Sequence, residues 1–368
     1  MRILHLTTHL NRGGISQYLF SVGGALVKQG HEVFVVSSGG ETEEELRSER
    51  ITVRNLPIRT KSELSPQIYW YLPELIRWIG EWKIDVIHAH TRVTQVMAWW
   101  AQRWTQKPLV TTVHGFYKRR LGRRLLPAWG ERAIAISEAV GTDLRETHRV
   151  PTERIRVIYN GVALLDLIKR FSNQNPHQVR LKYGFSDQAY VVSIIARLVP
   201  DKGHEYLIRA IKRLESEISD LGLLIVGDGR YRPYLEELTS KLDLRSRIHF
   251  TGNLRDVTEP LAATNLFVLP AVWREGFGLS IVEAMTCQKP VIVTNIWALN
   301  TLIQNHVNGI LVEPRDSEDL ARAIQLLAQN PELSRRMGTA GHETARKRFS
   351  IDRVVEELEE VYGEVLSR

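Results

Sequence analysis

The chain has 368 residues, of which 43% are hydrophobic and 25% are charged, as in ordinary globular proteins. This length predicts two domains, each large enough to bury its own core. The single cysteine, Cys287, excludes an intrachain disulfide framework and indicates a reducing compartment. The N-terminal run is broken by Arg2 and His5, and no stretch approaches the roughly 20 apolar residues that span a bilayer. We therefore expect a cytoplasmic protein.

The excess of positive over negative charge is confined to the first half of the chain. Residues 1–170 contain 25 Lys and Arg against 16 Asp and Glu, so the remainder is slightly acidic although the whole chain carries +7. The densest segment, from Lys118 to Trp129, mixes five cations with three leucines. It is typical either of an element that binds an anionic membrane surface or of a solvated basic helix. Nucleic-acid binding is the least favoured reading, since no recognition motif is present.

Short apolar runs alternate with helical patterns along the first half, as in parallel, doubly wound sheets. Helices are predicted at 15–29, 66–82 and 94–103. The predicted strands are 2–7, 32–37, 53–56, 86–89, 109–113, 133–136 and 155–159.

The alternation resumes after a polar, aperiodic stretch at 171–177, which we interpret as an interdomain linker. The predicted domains are thus 1–170 and 171–350, followed by a C-terminal helix at 351–368. We expect ligands to bind between the two halves. The later strands are predicted at 191–196, 223–226, 248–250, 266–269, 291–293 and 310–312, and the last helices at 318–329, 332–349 and 352–366.

Three features of the first half lie where predicted strands end. Gly13 and Gly14 follow the first strand at the position of a phosphate-binding loop, although a plain turn explains them equally well. His114 ends strand 109–113; from position alone, a structural role is more common there than a catalytic one. Ser137 follows strand 133–136 and is most simply a helix N-cap.

His88 and His90 are two residues apart, so we expect them on opposite faces of a strand.

Two cations follow the strand at 191–196, at the point where open α/β sheets bind ligands. Arg197 offers a planar fork for phosphate oxygens, and Lys202 offers a point charge. The alternative is that both form surface ion pairs with Asp201 and Glu205.

The segment from Glu275 to Glu283 places two carboxylates around a glycine-rich turn. Gly276 and Gly278 let the main chain turn sharply, and the N–H groups of the following helix can then meet phosphate or sugar oxygens. Glu275 and Glu283 can accept hydrogen bonds from ligand hydroxyls. The alternative is a simple strand-to-helix turn with two solvated glutamates.

Two more turns end strands of the second half. Gly227 and Gly229 permit close approach of a ligand to the main chain, whereas Asp228 by default bonds its own turn. Asn253 and Leu254 follow the next strand.

The order and spacing of these motifs resemble the retaining glycosyltransferases of family 4 over nearly the whole chain. Those enzymes use nucleotide sugars and have the GT-B fold, in which two Rossmann-like domains face a central cleft. The motifs that carry the resemblance are Gly13–Gly14, 112–115, 134–137, 160–162, Arg197 with Lys202, 227–229 and Glu275 with Glu283.

The resemblance implies a role for each candidate residue. His114 reaches the donor sugar, Arg197 and Lys202 stabilise the leaving diphosphate, and Glu275 binds sugar hydroxyls, which makes these four the catalytic set. Glu283 binds the ribose, and the C-terminal helix packs back on the N-terminal domain. The remaining donor-binding candidates are Gly13, Gly14, Gly227, Asp228, Asn253, Leu254, Gly276, Phe277, Gly278 and Leu279. The acceptor-binding candidates are Phe116, Tyr117 and Ser137.

The expected reaction is retaining transfer of a sugar to an acceptor hydroxyl without a metal or other cofactor, since no D-x-D motif occurs. The basic first half favours a lipid-linked or cell-envelope glycan acceptor and a peripheral membrane location. The alternatives are a GT-B phosphorylase, a nucleotide-sugar epimerase and a non-catalytic nucleotide-sugar binder. A hydrolase with a carboxylate dyad would leave Arg197 and Lys202 unexplained.

Overall fold

The structure, a computed structural model, describes residues 1–60, 62–119, 123, 126–273 and 275–367. It consists of two compact units: Met1–Gly161 together with Ile351–Arg368, and Val162–Ser350. Each unit is a parallel β-sheet flanked by helices. The predicted α/β class with two Rossmann-like sheets is confirmed. Within the described residues, no helix combines the length and apolar character needed to cross a membrane.

The first unit contains a seven-stranded sheet in the order β3-β2-β1-β4-β5-β6-β7. Successive strands proceed outward from β1 to one edge, and then from β4 to the other. The topological switch point, where such sheets bind ligands, therefore lies between β1 and β4. The strands are Arg2–Leu6, Glu32–Ser37, Thr52–Asn55, Val86–Ala89, Leu109–Val113, Arg132–Ala135 and Ile155–Val157. The helices α1–α6 are Gly14–Lys28, Glu43–Ser48, Pro66–Trp70, Leu72–Glu81, Arg92–Thr105 and Glu138–Glu146.

The second unit contains a six-stranded sheet in the order β10-β9-β8-β11-β12-β13, with its switch point between β8 and β11. Its central strands are apolar throughout because helices cover both faces. Strands β8–β13 are Tyr190–Ile195, Leu221–Val226, Ile248–Gly252, Leu266–Leu269, Val291–Thr294 and Ile310–Val312. Helices α7–α15 are Leu164–Ser172, Pro176–Lys182, His204–Arg213, Arg232–Lys241, Thr258–Ala263, Leu279–Thr286, Trp297–Asn300, Ser317–Gln329 and Pro331–Arg348.

The final helix, α16, spans Ile351–Leu366 and belongs to the first unit. Tyr362 on this helix is fully buried. Glu364 accepts hydrogen bonds from Arg132 at 2.7 Å and from Arg156 at 3.0 Å. These contacts attach the end of the chain to the sheet built by its beginning.

Two local expectations differ from the structure. The helix predicted at 66–82 is divided into α3 and α4 at Tyr71. Pro73 explains the break, since it lacks an N–H for the preceding turn and its ring crowds that turn's carbonyl group.

The linker predicted at 171–177 instead lies inside the second unit, and the division between units follows Gly161. The polar residues of this stretch connect α7 to α8. The Asn175 side chain caps α8 by accepting a hydrogen bond from the Gln178 amide at 3.2 Å, and Pro176 is its first residue. Asn175 and Pro176, which give this stretch the composition of a linker, are therefore the residues that begin α8.

Candidate functional site

The two predicted cations of the second unit follow β8, at the switch-point edge of the sheet. Arg197 is exposed and forms no salt bridge with the described part of the chain. Lys202 ends a 3-10 turn and precedes Gly203, whose φ is +72°. A Cβ at Gly203 would lie 1.8 Å from the carbonyl oxygen of Pro270, so only glycine fits there. This close approach ties the loop that carries Lys202 to the end of β11.

Lys202 forms an ion pair with Glu275, 73 residues further along the chain. The two side chains are only 19% and 13% exposed. The alternative partner Glu205 instead accepts hydrogen bonds from the hydroxyl groups of Tyr231 and Tyr234, at 2.7 and 3.1 Å. A cation and a carboxylate that were predicted separately thus share one largely buried site, which local sequence reasoning did not predict.

The glycine-rich turn after Glu275 leads directly into α12. Glu275 accepts a hydrogen bond from the Gly276 amide at 3.0 Å, and Gly278 adopts a φ of +85° as the residue that precedes the helix. Within the described ranges, no side chain caps this helix start. The Phe277 side chain is buried against Phe349, so only its main chain is available to a ligand. The amide groups at Leu279 and beyond are therefore suited to binding an anion.

Glu283 lies one turn into α12 and is partly buried. Burial raises its pKa to about 7, while the Arg170 guanidinium opposes this rise and the Asp256 carboxylate adds to it. Arg170 donates hydrogen bonds to Asp256 at 2.6 Å and to Asp166 at 2.9 Å. This charged group beside Glu283 was missed, because Arg170 and Asp256 are 86 residues apart and no motif contains them.

The turns after β9 and β10 lie at the same edge of the sheet. A Cβ at Gly227 would lie 2.1 Å from the Ala196 carbonyl oxygen, which explains the glycine there. Asp228 accepts a hydrogen bond from the Gly229 amide at 2.7 Å, as expected of a residue that stabilises its own turn. Asn253 is exposed and Leu254 is half-buried. All the donor-site candidates of the second unit therefore lie at the carboxyl edge of one sheet.

In the first unit, Gly13 and Gly14 form the exposed start of α1. Of the atoms that the structure describes, none lies within 4 Å of a Cβ added to either residue, and none of the described side chains caps the helix. Neighbouring atoms therefore do not require glycine at either position. The open space leaves room for a ligand at the helix N-terminus.

His114 and Ser137 also lie at the carboxyl edge of the first sheet, after β5 and β6. His114 is half-buried, and its Nε2 lies 3.0 Å from Nδ1 of His90. Burial lowers its pKa to about 3, so the imidazole is neutral. Ser137 is fully buried and accepts a hydrogen bond from the Val140 amide at 3.3 Å. Its helix-capping role is therefore present in the structure.

The acceptor candidates Phe116 and Tyr117 follow His114 and are half-buried. The Tyr117 hydroxyl lies 3.4 Å from Nε2 of Gln95, and the Arg123 guanidinium lies 4.5 Å from its ring centroid. Lys118 and Arg119 are exposed, but residues 120–122, 124 and 125 of the basic segment lie outside the described residues.

Close to this segment, Arg92 is buried, which the sequence did not indicate. It lies 3.6 Å from Glu63 and donates a hydrogen bond to the Leu126 carbonyl at 2.6 Å. The tryptophans of α5 differ in their surroundings: Trp99 and Trp100 pack against the core, whereas Trp104 is 73% exposed.

The expectation that His88 and His90 face opposite sides is wrong. Their ring centroids are 4.4 Å apart, because side chains two residues apart along a strand point to the same face. Together with His5, they form the one group of metal-ligand type found among the described residues. Sequence spacing had indicated no such group.

Two family models together cover most of the chain. Residues 12–164 match Glycosyltransferase Family 4, and residues 177–344 match Glycosyl transferases group 1. An Escherichia coli relative, UDP-Gal:alpha-D-GlcNAc-diphosphoundecaprenol alpha-1,3-galactosyltransferase, is 31% identical over 69% of this chain and 68% of its own length. The chain belongs to glycosyltransferase family 4.

Other relatives agree with this assignment over greater lengths. The glycosyltransferase EpsD from Bacillus subtilis is 28% identical over 91% of this chain and 90% of its own length. A glycosyltransferase structure from Rickettsia africae has a TM-score of 0.89 at 25% identity, and covers 100% of this chain and 99% of its own. Anabaena HepE, solved with UDP and glucose, has a TM-score of 0.86 at 23% identity over 99% and 100%. The predicted GT-B fold and glycosyltransferase class are confirmed.

Proposed function

We propose that this family 4 glycosyltransferase transfers a sugar from a nucleoside diphosphate to an acceptor hydroxyl, with retention of configuration and without a metal ion. The observation that carries the proposal is the partly buried pair of Lys202 and Glu275 at the β8–β11 switch point, beside the exposed cation Arg197. Cations, a free helix N-terminus and a carboxylate are the groups that a charged, hydroxylated donor requires.

The leaving diphosphate gains negative charge as the bond to the sugar breaks. Lys202, held by Glu275, and the amide groups at the start of α12 are in place before this charge develops, so they stabilise it with little reorganisation, and the exposed Arg197 adds a second cation. Lys202 is already oriented by Glu275. Binding of the sugar gives Glu275 hydroxyl donors, while Lys202 remains next to the phosphate.

The proton balance needs no general base from the protein. In same-face attack, the acceptor oxygen forms its bond to the sugar carbon on the side from which the phosphate oxygen departs. The departing phosphate then takes the proton of the acceptor hydroxyl. His114 is neutral because burial lowers its pKa, so it is suited to hydrogen bonding with the sugar rather than to carrying charge.

Two relatives support the choice of substrates. HepE has been solved with UDP-glucose, and the Escherichia coli relative is named for a lipid-diphosphate-linked acceptor. We infer a nucleotide-sugar donor and a lipid-linked or cell-envelope glycan acceptor, used by an enzyme that docks peripherally on an anionic membrane. Exposed Lys118 and Arg119 on the acceptor unit provide part of the required positive charge.

The donor site can be tested with Arg197→Ala, using the exposed Arg209→Ala on α9 as a matched control. Thermal unfolding with a panel of nucleoside diphosphates measures binding, because a ligand of the native state raises the melting temperature. We expect at least one nucleotide to stabilise the wild type and Arg209→Ala strongly and Arg197→Ala weakly. Equal stabilisation of all three proteins would contradict the donor site.

A further inference from the structure

Four histidines meet at the switch point of the first sheet, and three of them form a continuous chain of hydrogen bonds. His5 Nδ1 lies 2.9 Å from His90 Nε2, and His90 Nδ1 lies 3.0 Å from His114 Nε2. We call His5, His90 and His114 the histidine chain. It runs from a fully buried residue on β1 to a half-buried residue at the edge of the sheet.

The fourth histidine, His88, lies beside the histidine chain but is bonded elsewhere. Its Nδ1 lies 2.7 Å from the Tyr362 hydroxyl, and its Nε2 lies 2.7 Å from the Thr112 hydroxyl. Five of the six ring nitrogens of His5, His88 and His90 are therefore engaged in hydrogen bonds. A metal ion held by these three residues would have to replace several of those bonds in the buried interior, so the geometry favours hydrogen bonding over metal binding.

Burial keeps the imidazoles of the histidine chain neutral: the pKa values of His5 and His114 fall to about 3, and that of His90 falls well below its usual value. A neutral imidazole has one N–H donor and one bare acceptor nitrogen. Each bond of the chain needs one of each, so all three tautomers must change together. Only two arrangements are possible, one with every N–H directed toward His114 and one with every N–H directed toward His5.

The inner end of the histidine chain distinguishes the two arrangements. Nε2 of His5 is buried and has no hydrogen-bond partner among the residues that the structure describes. If the bonds pointed inward, this atom would be a buried N–H without an acceptor, which is the rarer of the two unsatisfied states in proteins. If they point outward, it is only a bare acceptor, and Nδ1 of His114 carries the proton.

We propose that His90 and His5 are positioning residues that hold His114 as its Nδ1–H tautomer, so that it presents a hydrogen-bond donor to an oxygen of the bound sugar. The role toward the sugar rests on the proposed function, whereas the tautomer does not. The aromatic ring of Tyr18 packs against both His90 and His114, with centroids 5.4 and 4.9 Å away, and limits rotation of the two imidazoles.

The direct test is nitrogen NMR of the full-length wild-type protein labelled with 15N-histidine, in which protonated and bare ring nitrogens give separate signals. The signals of His114 are assigned by their loss in His114→Gln. We expect Nδ1 of His114 to be protonated and Nε2 to be bare at neutral pH. A bare Nδ1, an imidazolium, or a stoichiometric metal ion found by elemental analysis would each overturn the proposal.

Two substitutions of nearly equal shape test whether His90 sets this tautomer. In His90→Asn the amide can still donate to Nε2 of His114, whereas the carboxylate of His90→Asp can only accept. We expect Nδ1–H to persist in the asparagine variant and Nε2 to become protonated in the aspartate variant. The same signals in both variants would show that His90 does not set the tautomer.

Measurements of transfer activity then distinguish a failure of the tautomer inference from a failure of the proposed function. If His114 donates to the sugar, His90→Asp should lower kcat by about 100-fold, with a smaller change in donor KM, while His90→Asn should recover most of the rate. Should the aspartate variant fail to fold, the wild-type spectrum and the asparagine variant still decide the tautomer. The expected tautomer in a protein that transfers no sugar would refute the proposed function alone.

Discussion

The polar groups of the two units are stabilised in different ways. The first unit collects His5, His88 and His90 in its interior, keeps them neutral, and satisfies nearly every ring nitrogen with a hydrogen bond. The second has a pair of charges at its sheet edge, Lys202 with Glu275. Neutral groups tolerate full burial if they are bonded, whereas charges need both a partner and some water. The first arrangement suits orientation of uncharged hydroxyls, and the second suits binding of a diphosphate.

The largest expected effect is on catalysis in the second unit. Lys202→Ala should lower kcat by about 10²–10³-fold, because it removes a fixed cation from the leaving diphosphate. The matched control is Lys212→Ala, which removes a lysine from an exposed pair with Glu215 and should leave turnover unchanged. Steady-state kinetics of sugar transfer measures both. Wild-type turnover in Lys202→Ala would remove the charged site from the mechanism.

The next effect is on the stability of the first unit. Tyr362→Phe removes the hydroxyl that meets Nδ1 of His88 and leaves that buried nitrogen without a partner, which should cost about 1–3 kcal/mol. Tyr69→Phe is the control, since Tyr69 is 43% exposed and should change the free energy of unfolding little. Denaturant unfolding compares the two. Equal free energies of unfolding for Tyr362→Phe and Tyr69→Phe would mean that the hydrogen bond between Tyr362 and His88 does not stabilise the first unit.

A smaller, pH-dependent effect concerns Glu283. Burial raises its folded-state pKa to about 7 from the usual 4.5, so the native state binds the proton more tightly than the unfolded state. Its contribution to stability is therefore complete below about pH 4.5 and is lost as the pH rises through about 7. Glu283→Gln should remove this part of the pH dependence, as measured by unfolding across that range.

The same group should make donor binding depend on pH. If the Glu283 carboxylate accepts hydrogen bonds from the ribose, nucleotide affinity should rise as Glu283 ionises near its pKa of about 7. Calorimetric titration of wild type and Glu283→Gln at several pH values tests this. The same pH dependence in both proteins would assign the titration to another group.

The sequence was informative where function depends on short motifs. The strand alternation predicted all thirteen strands of the two sheets, and the positions of Arg197, Lys202 and Glu275 at strand ends followed from it. Contacts between distant segments could not be predicted in this way. The pair of Lys202 with Glu275 depends on the adjacency of β8 and β11, and sequence spacing does not give strand order.

The group formed by His5, His88 and His90 also depends on contacts between distant segments, which the sequence did not predict. His5 and His88 are directly paired in register on β1 and β4, so they share a face of the sheet. His90 joins them because residues two apart along an extended strand share a face, so the expectation of opposite faces misapplied strand alternation. The approach of His5, by contrast, depends on the pairing of β1 with β4, which sequence spacing does not give.

The last prediction is that removing metal ions changes neither transfer activity nor melting temperature. Transfer activity should survive excess chelator, because Arg197, Lys202 and the start of α12 supply the positive charge that other enzymes obtain from a metal held by D-x-D. The melting temperature should also be unchanged, since the buried histidines are proposed to bond one another rather than an ion. The two readouts test the two units separately. Complete loss of transfer that Mn²⁺ or Mg²⁺ restores would contradict the electrostatics of the second unit. A lower melting temperature with activity retained after reloading by Zn²⁺ would instead place a structural metal in the first.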